Sequence, residues 1–423
     1  MRSKLQLSPF RKSLRMVSVA ILLAGTIGFS QNMDLLSESN SGIYQGMAGA
    51  GIGLAKDYSA VDINPAGLAG ITSSRAVLSG QESYYKYELI NERIEEKLTR
   101  IFKWARYNPS LNNLLVTFPV KSRMGVSLGY LNRINPFLYN QRRAITWSPL
   151  FNQTTRGRLG SLFLAAGLKV TPHLSLGITG YGYFGKITSV VHGENHGNDV
   201  DKWAELESSM RGTGLRFGAQ LQLGNFKTGI VFEPRTVIEV KTETSLSENR
   251  LYENLFPSYS ETTWNLPSIL GLGVAYTFDQ HLSLVLDIEY QNFSSSEIEL
   301  NLFEYGGSPT WEKVLIYRLG LEKESGKSGL PFRAGYAIIP QAYSSATTDQ
   351  PLSGAQVIAY GDQNIKHLLT LGTSKQFSRS QVNLALAYSF IKWHRDLYTY
   401  VTVEENYIER QVTLFVEWVV FPR

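Results

Sequence analysis

Residues 282–291 read LSLVLDIEYQ, and they decide the fold because apolar and polar side chains alternate along them. One face carries mostly apolar side chains, those of Leu282, Leu284, Leu286, Ile288 and Tyr290. The opposite face carries Ser283, Val285, Asp287, Glu289 and Gln291. Successive side chains of a β-strand point to opposite faces, so this period indicates a strand. It fits an outer-membrane barrel with its apolar face toward lipid, and also a soluble sandwich with that face turned inward.

Fourteen segments are predicted as strands on this criterion, and the links between them separate the two alternatives. The segments are 74–87, 111–120, 124–147, 159–170, 173–190, 211–223, 226–240, 264–278, 281–297, 312–322, 330–343, 364–376, 380–395 and 406–421. Every second link is tight (VKSRM, TPH, GNF, FDQH, ESGKSG and FSRS), and the intervening links are longer. Short turns on one side and long loops on the other are typical of outer-membrane barrels. The sequence therefore predicts an all-β, transmembrane, antiparallel β-barrel of about fourteen strands.

The N-terminus has the composition of a secretory signal peptide. Residues 1–15 carry five basic and no acidic side chains, and residues 16–30 are apolar or small. This layout predicts a signal peptide over residues 1–30, with cleavage near Gln31. Without those five residues the basic and acidic side chains are equal in number, at 36 each. The basic pI of the whole chain is therefore no argument for a nucleic-acid partner.

The remaining composition agrees with an exported barrel. Cysteine is absent, which excludes disulfides and acylation of a cysteine, while 23 Tyr, 20 Phe and 37 Gly are present. The last strand, QVTLFVEWVVF, alternates to its end and closes on the aromatic Phe421. We expect the barrel assembly machinery to recognise that terminal strand, and we expect the protein in the outer membrane of a Gram-negative bacterium, among lipids and lipopolysaccharide.

Two runs of small residues precede the first strand, and neither reads as a strand or as an amphipathic helix. They are GMAGAGIGLA at 46–55, with Gly49 and Gly51, and DYSAVDINPAGLAG at 57–70, with Asn64, Pro65 and Ala66. Glycine permits close approach of other backbone, and proline ends regular structure. Either a packed insert or a plain glycine-rich linker would have this composition.

These segments, taken in order, resemble the FadL family of outer-membrane transporters for long-chain fatty acids and other hydrophobic compounds. GMAGAGIGLAKDYSAVDINPAGLA is similar to the family's N-terminal hatch, and the hairpins at 162–184 and 266–290 resemble family hairpins. LPFRAGYAIIP at 330–340 and the two strands after it resemble the family's C-terminal region. The resemblance implies a fourteen-stranded barrel over 74–423, with residues 31–73 folded into its lumen as a plug whose hatch motif includes Gly49, Gly51, Asn64, Pro65 and Ala66.

The resemblance also implies a function, the passive uptake of fatty acids or other hydrophobic small molecules with lateral release through the wall. Capture residues are expected in two stretches with apolar side chains at helical spacing, which would form two facing helices. The first stretch, 199–210, offers Trp203, Leu206 and Met210, and the second, 245–256, offers Leu251, Leu255 and Phe256. The same residues would also suit plain packing between loops.

The expected site of lateral release is Asn135-Pro136 in the third strand, because proline removes a ladder hydrogen bond. A strand that simply ends at Asn135 is the alternative. Residues 88–105 carry an apolar stripe and predict a helix, either on the membrane surface or as a lid over the barrel mouth.

Other functions find little support in the sequence. No Walker motif, HExxH or GxSxG occurs, and the HGENH stretch with His192 and His196 contains a glycine that favours a loop. We therefore predict no enzyme activity, no catalytic residue, no metal and no cofactor. The alternative function is a FadL-like barrel that serves as a structural or shuttle component of a protein secretion apparatus.

Overall fold

The computed structural model describes residues 39–94, 97–134, 138–142, 151–195, 199–246, 259–278, 281–296, 308–324, 330–347, 357–360, 364–398 and 402–422. The predicted signal peptide at 1–30 lies outside these residues and stays a prediction. No helix among the described residues has both the length and the apolar character needed to cross a membrane.

Twenty β segments of the described chain form one antiparallel sheet. They are β1 (Arg75–Ile94), β2 (Lys97–Lys121), β3 (Met124–Ile134), β4 (Leu138–Arg142), β5 (Phe151–Lys169), β6 (Leu174–Asn195), β7 (Asp199–Leu223), β8 (Phe226–Glu233), β9 (Thr236–Leu246), β10 (Tyr259–Leu266), β11 (Ser268–Phe278), β12 (Leu282–Asn292), β13 (Ser308–Trp311), β14 (Lys313–Lys323), β15 (Phe332–Pro340), β16 (Tyr343–Thr347), β17 (Val357–Tyr360), β18 (Ile365–Gln376), β19 (Ser380–Tyr398) and β20 (Thr402–Val420).

These segments make a closed ring of fourteen strands, which confirms the predicted fold. Six strands of the described ring are interrupted and consist of two segments each: β3/β4, β8/β9, β10/β11, β13/β14, β15/β16 and β17/β18. The first and last strands close the ring, with Ala76 opposite Val420 and Ile94 opposite Val403. Closure removes the exposed sheet edge, which a bilayer would not tolerate because it offers no hydrogen-bond partners.

The direction of the apolar face separates the barrel from a sandwich. In β12, Leu286 and Ile288 are 48% and 46% exposed, whereas Asp287 and Glu289 are 2% and 7% exposed. The apolar face therefore points out of the ring, where a bilayer would cover it, and the polar face points inward. The same outward band of large apolar side chains continues over the neighbouring strands.

Strand boundaries agree with the prediction at one end of the barrel and extend beyond it at the other. We call the end where β2 joins β3, β5 joins β6 and β7 joins β8 the turn end, and the opposite end the loop end. At the loop end, β1 reaches Ile94 and β2 begins at Lys97, so most of the long links expected there are strand. The difference between the two ends of the barrel therefore arises partly because the strands extend farther at the loop end, and not only because the loops there are longer.

The predicted helix at 88–105 is wrong, because this stretch forms the loop-end half of β1 and β2. Glu88 stands opposite Lys103 and Leu89 opposite Phe102 in the register of this hairpin. On its other side, β1 pairs with β20 over nearly its whole length. Pairing on both sides satisfies the backbone of β1 with non-local partners, and it overrides the local helical period.

One wall strand is interrupted at a pair of residues that leaves a gap in the hydrogen-bond ladder. The segment β8 ends at Glu233 and β9 begins at Thr236, with Pro234-Arg235 between them. Pairing of β7 with β8 stops at Phe217↔Phe232, and pairing of β7 with β9 resumes only at Gly212↔Ile238. Residues 213–216 of β7 therefore have no cross-strand partner in β8 or β9.

Candidate functional site

A segment of 33 residues, 39–71, lies inside the ring against the polar inner face of the wall, and we call it the plug segment. It contains two short helices, α1 (Gly42–Gln45) and α2 (Ala60–Ile63), and a 3₁₀ turn at Pro65–Gly70. Nearly all of its side chains are buried. Runs of small residues thus form a packed insert, not an open linker.

Asn64 explains the Asn-Pro-Ala sequence through three hydrogen bonds. Its Nδ2 donates to the Ile52 carbonyl at 2.9 Å and to the Ala219 carbonyl of β7 at 3.1 Å. Its Oδ1 accepts from the Ala66 amide at 3.1 Å and so caps the 3₁₀ turn, whose first position is Pro65. Proline suits that position because it has no amide hydrogen to satisfy. One fully buried side chain therefore joins two parts of the plug segment and the wall.

The first small-residue run, at 46–55, packs closely against neighbouring side chains of the plug segment and the wall. Gly49 has φ +82°, a left-handed conformation that glycine adopts without strain. The Gly51 and Ile52 amides donate to Asp287 Oδ2 at 2.6 and 2.9 Å. A methyl group at Gly51 would overlap the Tyr44 ring. Both predicted glycines therefore occupy positions that a larger residue would disturb.

Inward-facing glycines of the wall receive the plug segment, and we call them the glycine belt. They are Gly125, Gly167, Gly177, Gly218, Gly229, Gly273, Gly320, Gly335 and Gly372. Several stand directly opposite one another: Gly125 with Gly167, Gly167 with Gly177, and Gly177 with Gly218. A methyl group at Gly177 would overlap Pro65, and one at Gly335 would overlap Met47. The wall thus omits side chains along the path that the plug backbone follows.

Buried charges add to this attachment on one side of the lumen. Arg133 donates to Asp62 of the plug segment at 2.9 Å and to Glu233 of the wall at 2.8 Å. Arg216 donates to the same Glu233 at 3.2 Å and to the Ile63 carbonyl at 3.3 Å. Burial removes these charges from water, and mutual pairing offsets that cost.

A second buried polar cluster lies near the seam of the ring. The Tyr58 hydroxyl donates to Glu417 at 2.8 Å, and Asn383 Nδ2 donates to the same carboxylate oxygen at 2.7 Å. Burial, followed by the nearby Glu417 and Asp57 carboxylates, raises the pKa of Tyr58 well above its usual value. The phenol therefore stays protonated and acts as a donor.

The inner wall changes character between the plug segment and the loop end. A polar cavity beside the plug segment is lined by Asn40, Asp62, Arg133, Arg216 and Glu289, among others. Farther toward the loop end, buried apolar side chains face inward, and we call them the apolar layer: Ile187, Met210, Ile238, Val240, Trp264 and Ile316. On the side of the ring formed by β6 to β14, an apolar section at the loop end thus follows the charged section beside the plug segment, whereas the seam side stays polar with Ser83, Gln411 and Thr413.

Trp264 is the most informative member of the apolar layer. Its side chain is 4% exposed, and its indole Nε1 has no hydrogen-bond partner within the described structure. An unsatisfied buried donor costs about 1–3 kcal/mol. A ligand with an acceptor oxygen would remove that cost.

The predicted capture residues have different outcomes. The stretch 199–210 is not a helix but part of β7, where Leu206 and Met210 are buried on the inner face and Trp203 occupies a strand position. Pairing with β6 and with β9 extends this strand and overrides the helical spacing. Leu251, Leu255 and Phe256 lie outside the described residues, as do Asn135 and Pro136. Whether any of these five captures or releases ligand stays a prediction.

Asp287 and Glu289, which the alternation of residues 282–291 places on the polar face, are both buried on the inner side of the wall. Sequence reasoning missed Arg133, Arg216 and Trp264. The signal for the two arginines was an isolated charge at an inward position of an alternating strand. Their acidic partners lie 71 and 17 residues away in the chain, which no local pattern reveals.

Comparison with known proteins gives one family and one fold. A family model described as BamG matches residues 37–322. No curated protein matches the chain. A Pseudomonas aeruginosa FadL homologue has a TM-score of 0.63 at 12% identity, over 93% of this chain and all of that one. The Ralstonia pickettii toluene transporter TbuX has a TM-score of 0.59 at 14% identity, and the P. putida toluene transporter TodX has 0.57 at 12%, each over 92% of this chain and all of the other. These likenesses show the barrel fold.

Proposed function

The chain belongs to the BamG family, and we propose that it is an outer-membrane channel that takes up long-chain fatty acids or other hydrophobic small molecules by passive diffusion. The apolar layer inside the loop end of the barrel is the observation that carries this proposal. The similar structures include proteins described as toluene transporters, which supports the same class of ligand.

The arrangement of the lumen suits an apolar ligand that enters from the loop end. Transfer of each methylene from water into the apolar layer contributes about 0.8 kcal/mol. The charged section and the plug segment beyond it would require an apolar tail to displace paired charges, which is unfavourable. A ligand therefore gains free energy down to the level of Met210 and Trp264 and then leaves sideways rather than through the plug segment.

The third wall strand is our proposed place for lateral release. The segment β3 ends at Ile134, β4 begins at Leu138, and both pair with β5. The proposed gate residues Asn135 and Pro136 fall between these segments. Outer-membrane location and a signal peptide over 1–30 complete the proposal, and the mass of the exported protein would test the cleavage.

Binding of radiolabelled oleate and of radiolabelled hexadecane to the purified barrel tests this function. We expect both ligands to bind the wild type, because both present an apolar chain. Trp264→Phe keeps an aromatic ring but removes the indole donor, so oleate should bind about tenfold more weakly while hexadecane binding stays unchanged. Trp418→Phe, on the outer face of β20, is the matched control and should change neither. Absence of binding of both ligands to the wild type would refute uptake of hydrophobic compounds.

A non-transporting role in a larger outer-membrane machinery is the second candidate. The attachment of the plug segment favours it, since the belt glycines receive its backbone and Arg133 joins its Asp62 to Glu233 of the wall. The partner would be the barrel assembly machinery or a secretion complex. Affinity purification of the chain under mild detergent distinguishes the candidates: stoichiometric recovery of a large complex, together with no ligand uptake, supports the second.

A further inference from the structure

The outer face of β5, β6 and β7 bears a groove within the membrane-facing band. Gly180 and Gly182 point outward from β6, and a methyl group at either would meet no atom closer than 3.8 Å. In the register, Gly180 stands between Leu164 and Leu215, and Gly182 between Leu162 and Thr213. The leucines are exposed and rise on both sides of the glycines. This groove has the width of one strand and an apolar lining, so it fits an acyl chain.

The loop-end border of this groove is basic. Arg235, in the interruption between β8 and β9, lines the groove itself. Arg211 stands one outward position beyond Thr213 on β7, and Arg158 lies two outward positions beyond Leu162 on β5. All three are exposed. Three cations thus follow the edge of the apolar band, one on β5, one on β7 and one in the interruption between β8 and β9.

These arginines differ from the lysines next to them. Lys186 pairs with Glu207 at 2.7 Å, and Lys241 pairs with Glu261 at 2.7 Å. In contrast, the side chains of Arg158, Arg211 and Arg235 make no ion pair or hydrogen bond within the described part of the chain. Lysines thus take up Glu207 and Glu261, whereas Glu239 stands opposite Arg211 in the register and forms no ion pair within the described part of the chain.

We propose that this surface binds a phosphorylated, multiply acylated glycolipid of the outer leaflet, of the lipid A type. Short turns of outer-membrane barrels face the periplasm, so the loop end lies at the outer leaflet. One acyl chain would lie over Gly180 and Gly182, and the phosphates would contact Arg158, Arg211 and Arg235. Guanidinium groups bind phosphate oxygens in a bidentate manner, which a lysine cannot do.

The position of the surface argues against the transported ligand as its occupant. The groove lies on the outside of the wall, whereas the inner face of the same region is filled by Tyr183, Arg216 and Glu233 in mutual contact. A neutral hydrocarbon would also leave the arginines without a counterion. A lipid with anionic phosphates satisfies both the groove and the charges.

Native mass spectrometry of the full mature barrel, with lipid A added in detergent, tests the site. The variants are the triple substitution R158A/R211A/R235A and, separately, Gly180→Leu, which fills the groove from the outside. Arg123 and Arg379, exposed at the turn end, supply the matched control R123A/R379A. Heat-modifiable migration on gels checks that each variant is a folded barrel.

We expect the wild type and the control to bind one lipid A with equal affinity, and the triple variant to bind at least about tenfold more weakly. Gly180→Leu should also weaken binding, and added inorganic pyrophosphate should compete only weakly because it lacks acyl chains. Equal lipid A binding by the wild type and the triple variant would overturn the proposal. So would absence of lipid A binding to the wild type, or complete competition by pyrophosphate. Equal binding of phosphatidylglycerol would overturn the choice of lipid A.

Discussion

Asp287 is the wall residue whose removal should loosen the plug segment most directly. Its Oδ2 accepts hydrogen bonds from two plug amides, Gly51 at 2.6 Å and Ile52 at 2.9 Å. Asp287→Ala leaves both amides buried without an acceptor, at a cost of about 1–3 kcal/mol each. The sum of about 2–6 kcal/mol corresponds to at least a roughly 30-fold rise in the open population of this part of the plug segment.

Hydrogen–deuterium exchange measures that population. In the detergent-solubilised barrel, the amides of Gly51 and Ile52 should exchange at least about 30-fold faster in Asp287→Ala than in the wild type. Asp287→Asn keeps one acceptor oxygen, so its effect should be intermediate. Exchange of the wall-strand amides should stay unchanged, because the backbone hydrogen bonds between β11 and β12 do not involve the Asp287 side chain.

A matched control separates this bond from a general loss of charge. Glu261→Ala removes an exposed carboxylate that pairs with Lys241 on the outer face. Exposed pairs contribute about 0–1 kcal/mol, so plug exchange should not change. If Asp287→Ala exchanged at the wild-type rate, the plug segment would be held by packing alone, and Asp287 would not be its anchor.

Three further substitutions test the plug and the wall. Gly177→Ala should overlap Pro65 and lower barrel stability by about 1–3 kcal/mol in urea unfolding, whereas Gly180→Ala on the outer face of the same strand should change little. Arg133→Met leaves Asp62 without this partner and should cost about 3–5 kcal/mol, read as increased protease cleavage within residues 39–71. Pro136→Val should slow oleate uptake without loss of folded barrel, and unchanged uptake would end the proposed gate.

The strands were predictable wherever one face meets lipid. The outward apolar side chains of β12 repeat every second residue, because each inward neighbour meets the polar lumen. The strand boundaries at the turn end were also predictable, because tight turns require short runs of glycine, proline and polar residues. At the loop end the strands continue past the apolar band, so the membrane no longer imposes the period that identifies them.

Helical patterns at 88–105 and 199–210 gave wrong predictions for the same physical reason. Apolar residues three and four apart describe only what a segment does alone. In the barrel, β1 pairs with β2 and β20, and β7 pairs with β6, β8 and β9. These partners lie elsewhere in the chain, and the backbone bonds they offer decide the conformation.

The plug segment was predictable in part. Small residues at 46–70 indicated close backbone packing, and Asn64-Pro65-Ala66 indicated a turn. The wall residues that contact the plug segment could not be predicted. The belt glycines are spread over nine wall positions, and only the strand register brings them together. The same holds for Arg216 and Glu233, which meet only after the hairpin forms.

The contacts of the plug segment also constrain the order in which the molecule can be completed. Residues 39–71 are the earliest described part of the chain, yet they touch Gly125 in β3 and Glu417 in β20, the last strand. Their final packing must therefore await the chain's C-terminus, however early they leave the ribosome. Burial of Tyr58 against Glu417 consequently belongs to the last stage of assembly, because Glu417 lies in the final strand.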